Sequence, residues 1–140
     1  MKIKLYTLLV IAALLTPGFA EEEDTPLAQE MSKVSKALKV INRSIADPAA
    51  KDANLAKVAE AKASAEKALT MEPSMTKDVP EAEKAKFIED YKAAMNEMIK
   101  GLDELKVAVE SGKAEDVTKV MEKLNSGKKD GHKKFQKEEE

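Results

Sequence analysis

Two side chains able to ligate iron stand far apart in this sequence. Met31 lies in Leu27-Ala-Gln-Glu-Met31-Ser, at the start of the first helical stretch. His132, the only histidine, lies in Gly131-His132-Lys133-Lys134-Phe135, at the end of the last. In an antiparallel four-helix bundle the first helix begins where the fourth ends, so the two side chains meet at one end. A thioether and an imidazole facing each other across a pocket are an axial ligand pair for haem iron, suited to electron transfer. Each also has an ordinary explanation. A histidine in Gly-His-Lys-Lys near a chain end is commonly exposed, and a methionine on an apolar seam is commonly core.

Other chemistries find little support. The chain has no cysteine, so it has neither a disulfide nor a Cys-x-x-Cys-His motif for covalent haem. The two cysteine positions of that motif are Lys128 and Gly131 here, so any haem is b-type, held by ligation and burial. A lone histidine without a placed Ser, Cys or carboxylate gives no nucleophile arrangement for a hydrolase. Glu-x-x-His, the mark of carboxylate-bridged di-iron bundles, is absent. Acidic and basic residues are mixed along the chain and form no nucleic-acid footprint.

The elements that must position Met31 and His132 follow from periodicity. Residues 1–20 read as a secretory signal: Lys2 and Lys4, an apolar run over 5–15, then Pro17-Gly18-Phe19-Ala20. Removing them takes both lysines away and leaves a domain over 21–140 with a formal charge of −4, against −2 for the precursor. That domain is rich in Ala, Lys, Glu and Met, which favour helix. Thr25 and Pro26 make an N-cap and first helical position. The first helix carries Leu27, Met31, Val34, Leu38, Ile41 and Ile45, alternately three and four apart, and stops at Asp47-Pro48. The second, over 51–70, has a weaker stripe of Leu55, Val58, Ala61, Ala65, Ala68 and Leu69. A connector over 72–80 precedes the third, whose seam is Ile88, Tyr91, Met95, Met98, Leu102, Leu105 and Val109. Gly112 ends it, and the short turn makes the third and fourth helices antiparallel neighbours. The fourth has Val117, Met121 and Leu124, and then its seam fails. Lys128 and Gly131 stand where bulk is wanted, and Gly127 adds a second helix-weakening glycine. One wall of the bundle end is thus stripped of bulk, leaving room for a flat apolar ligand beside His132. The fold class is all-α, an antiparallel up-down-up-down four-helix bundle.

Several segments resemble the soluble cytochrome b562 family. Met31-Ser-Lys-Val-Ser-Lys-Ala-Leu38-Lys-Val-Ile41 looks like that family's first helix, Gly112-Lys113 like its turn before helix four, and His132-Lys-Lys-Phe135 like its terminal His-x-Lys-Tyr. The resemblance spans the domain in outline and is dense only in the first helix and at the end of the fourth. It implies one non-covalent haem b per chain, with Met31 and His132 as axial ligands. It places the family's two haem-contacting aromatics on Tyr91 and Met95, its basic residue on Lys128 and its last-turn aromatic on Phe135. Met95 departs from the pattern, and Phe87 supplies the missing ring if the register of helix three differs by a turn. The reading is a monomeric periplasmic electron carrier, not an enzyme, that meets haem and an unidentified redox protein and neither nucleic acid nor membrane. With both axial positions filled, iron offers no open site to oxygen or peroxide. The alternative is a haem-free periplasmic bundle acting as a binding or stress-response protein. Intact mass spectrometry of a periplasmic extract is expected to show a chain beginning at Glu21; full-length precursor confined to the cytoplasm contradicts the export reading.

Overall fold

A computed structural model describes residues 25–136; the expected signal segment and the polar chain end lie outside the described residues. Four helices follow one another: α1 (Pro26–Ser44), α2 (Lys51–Leu69), α3 (Glu81–Ser111) and α4 (Ala114–Phe135). Short 3-10 helices, Pro48–Ala50 and Ser74–Asp78, occupy the first two connections. Each helix packs mainly on its neighbours in sequence, whereas α1 and α4 meet sparingly. The expected all-α four-helix bundle is therefore present, with one seam left thin.

The helix ends have local causes. The Thr25 hydroxyl accepts from the Ala28 amide at 3.1 Å, with Pro26 opening α1. α1 ends at Ser44, short of Asp47-Pro48. The Ser44 hydroxyl donates to Asn54 Oδ1 at 2.7 Å, tying the chain across to α2. Asp47, which precedes Pro48, takes an extended conformation and caps the following 3-10 turn through the Ala49 amide. The connector over 72–80 forms the 3-10 turn Ser74–Asp78, and its Thr76 is buried. Between α3 and α4, Gly112 adopts φ 71°, a left-handed conformation that side-chain-bearing residues avoid.

The core follows the predicted seams. Ile41, Leu102, Leu105 and Val34 are the largest fully buried side chains. Each contributes on the order of 1.5–3 kcal/mol by burial. The alanine stripe of α2 is likewise closed, with Ala61, Ala65 and Ala68 at 0 % exposure. Buried Asn54 and Ser64 belong to the same face, and the apolar pattern gave no sign of them. Toward the start of α1 the core thins, and Leu27 and Met31 are only half-buried.

Glycines mark where α3 and α4 touch and where they part. A Cβ on Gly101 would lie 2.7 Å from Leu124 Cδ2, so a side chain there makes Leu124 shift. A Cβ on Gly127 or Gly131 would meet nothing within 4 Å. Gly101→Val is therefore expected to destabilise the ligand-free protein by about 1–3 kcal/mol. Gly131→Ala should instead stabilise it by about 0.5–1 kcal/mol, by removing a helix-interior glycine. Urea denaturation followed by circular dichroism checks both signs.

Candidate functional site

The last turn of α4 is fixed on α3. Phe135, 7 % exposed, meets Phe87 and Tyr91 edge-on, with ring centroids 5.4 and 5.5 Å away. The Tyr91 hydroxyl donates to the Ala68 carbonyl at 2.6 Å, which ties this aromatic group to α2 as well. Burial pushes the Tyr91 phenol up to about 12. Beside the rings, Lys134 pairs with Asp90 at 3.1 Å and its ammonium lies 5.5 Å from the Phe135 centroid. Lys134 first, and Lys86 with it, hold the Asp90 carboxyl below its usual value.

On its other side α4 faces α1 across a cleft. Leu27 and Met31 form the α1 wall, and Tyr91, Ala94, Met95 and Met98 form the floor from α3. Gly127, Lys128, Gly131, His132 and Phe135 form the α4 wall, with Gln136 beyond them. All six residues singled out from the sequence, Met31, His132, Tyr91, Met95, Lys128 and Phe135, thus line one cavity. Phe87 does not line it and packs against Phe135, whereas Tyr91 and Met95 face the cleft. The Lys128 ammonium donates to Ser35 Oγ at 3.1 Å, bridging α4 to α1. His132 is exposed, with Nδ1 hydrogen-bonded to Gln136 Oε1.

The cleft is about 70 Å³, small beside the roughly 300–1,000 Å³ of ordinary small-molecule pockets. A second groove, of about 310 Å³, lies between α3 and α4. It shares Ala94, Met98, Gly127, Gly131 and Phe135 with the cleft, so the glycine stretch of α4 is open on both flanks. Among the described residues no group of three or more His, Asp or Glu side chains could hold a bare metal ion. The cleft lining includes the thioethers of Met31, Met95 and Met98 and the imidazole of His132.

Sequence reasoning missed Ser35 and Gln136. Gln136 stands four residues after His132, a helical-neighbour spacing that flags it in hindsight. Ser35 and Lys128 are 93 residues apart, and no local signal joins them. Glu30 was missed too: it is buried at the start of α1, with Lys33 at 2.7 Å from its carboxylate.

A family model, cytochrome b562, matches residues 26–136. The chain belongs to the cytochrome b562 family. No curated protein and no solved structure gives a significant match. The cytochrome b562 family consists of haem-binding electron-transfer proteins, and the match spans all four helices found here. No helix among the described residues is long and apolar enough to cross a membrane.

In this cytochrome b562 member Tyr91 supplies a test of the aromatic anchor. Tyr91→Phe removes one buried hydrogen bond, while the Ala68 carbonyl still accepts from the Met71 amide at 3.0 Å. The expected cost is therefore only about 1 kcal/mol. The folded phenol holds its proton more tightly than the unfolded one. Its contribution is complete below about pH 10 and is lost as pH rises toward about 12. Denaturation at successive pH values should show this alkaline loss in the parent protein and not in Tyr91→Phe.

Proposed function

We propose that this chain is an exported, periplasmic electron carrier that binds one haem b without covalent attachment, with Met31 and His132 as its axial ligands. The observation that carries the reading is that Met31 and His132 line one cleft, at the seam where helices meet least. When bound, haem supplies a reversible one-electron iron couple. The residues of the chain do the rest. His132 presents imidazole from α4 and Met31 presents a thioether from α1. Tyr91, Met95 and Phe135 give apolar walls that keep water from the metal. Gly127 and Gly131 leave space where other residues would project a side chain. Lys128 offers a cation at the cleft for an anionic group of the ligand.

Admission of a macrocycle requires α1 and α4 to part, because the cleft is narrow. Sparse packing between these two helices makes that separation inexpensive, while the α3 side of α4 stays anchored. With both His132 and Met31 held to a bound haem iron, the site would transfer electrons and leave no coordination position for a substrate. The absence of cysteine supports non-covalent attachment.

Haemin titration of the purified protein tests the reading. The parent should bind one equivalent and give a sharp Soret band with split bands on reduction. His132→Ala should weaken binding by at least about a hundredfold, roughly 2.8 kcal/mol. Met31→Ala should keep haem but shift iron toward high spin and lower its potential, since the thioether favours the ferrous state. If His132→Ala binds as tightly as the parent with the same low-spin spectrum, the ligand assignment is wrong. Failure of the parent to bind haemin would favour a haem-free bundle with a binding or stress role.

A further inference from the structure

We infer that Gln136 is a positioning residue, holding the His132 ring in the tautomer protonated at Nδ1 and so leaving Nε2 as the bare nitrogen for iron. Its role toward haem rests on the proposed function; its effect on the ring does not. α4 ends at Phe135, and Gln136 leaves the helix at φ −108° and ψ 144°. Its backbone amide still donates to the His132 carbonyl at 3.0 Å. Its side chain returns to the same residue, with Oε1 against His132 Nδ1. Two bonds to one residue thus fix Gln136 beside the ring.

The chemistry of the pair decides the proton. An amide oxygen only accepts, so Nδ1 must donate, and a neutral imidazole carries one N–H. Nε2 is therefore left with its lone pair. The helical neighbours of His132 three and four positions away are Lys128, Lys129, Phe135 and Gln136. The lysines bring donors alone and Phe135 brings neither, so Gln136 is the one side chain of this set that can accept from Nδ1. Gln136 is half-buried and lines the cleft beside His132. A hydrogen bond to the second ring nitrogen is the general means by which proteins orient a histidine ligand and set its basicity.

The test begins with the haem-free full chain, whose single histidine gives one ring pattern. Long-range proton–nitrogen correlation spectra, above the pH where the ring is protonated, should show the Nδ1–H tautomer in the parent. Gln136→Leu, similar in size but without an acceptor, should shift the ring toward Nε2–H. Gln136→Glu should restore Nδ1–H. In haemin titrations Gln136→Leu should bind about tenfold more weakly. Gln136→Glu should retain binding with a potential below the parent's, because a charged acceptor makes the ring a stronger donor to ferric iron. An Nε2–H ring in the parent, or a tautomer unmoved in Gln136→Leu, overturns the inference. A tautomer that shifts with no change in haemin affinity overturns the positioning role. If none of the three proteins binds haemin, the haem reading itself fails, and the spectra still decide the hydrogen bond.

Discussion

The arrangement depends on the seating of Phe135 against Phe87 and Tyr91. The preceding two turns of α4 hold little else that binds them to the bundle. Gly127 and Gly131 have no neighbours for a Cβ, and Lys128 and His132 carry polar heads. Each interior glycine also weakens the helix by about 1 kcal/mol relative to alanine. Against this, two edge-on aromatic contacts contribute roughly 0.5–1.5 kcal/mol each beyond the burial of the ring. The Lys134–Asp90 pair is largely exposed and adds less. Phe135 therefore decides whether the histidine-bearing turn has a fixed position at all.

The same contact makes the site asymmetric. α4 is bound to α3, α3 is bound to α2 through Tyr91 and the Ala68 carbonyl, and α1 is bound to α2 along its buried face. The remaining seam, α1 against α4, is the one that can open without disturbing the others. On the proposed reading, a ligand entering there would meet the His132 imidazole on the wall anchored to α3 and the Met31 thioether on the α1 wall.

Much of this was legible in the sequence because alternation of threes and fours on a helix has one physical meaning. Leu27 to Ile45 and Ile88 to Val109 could bury an apolar stripe only in a bundle, and the failing seam at Gly127, Lys128 and Gly131 marked the thin end. Antiparallel topology brings together the helix ends that carry Met31 and His132, and the cytochrome b562 resemblance singled out those two residues. Other features were hidden. Asn54 and Ser64 are buried on α2 among alanines too small to advertise a stripe. The last residue of α1, Ser44, hydrogen-bonds Asn54 of α2. Nothing in the sequence shows that a Cβ on Gly101 would lie 2.7 Å from Leu124 Cδ2. Such pairings become visible only when distant segments are placed side by side.

The central claim is that one seam of the bundle, at one end, receives the haem. Amide hydrogen exchange of the full chain, with and without one equivalent of haemin, tests it most directly. The account predicts slowed exchange over residues 27–35 of α1 and 124–136 of α4, with little change at the far ends of those helices. Equal slowing along all four helices, or slowing confined to the α3–α4 groove with Met31 unaffected, would contradict it.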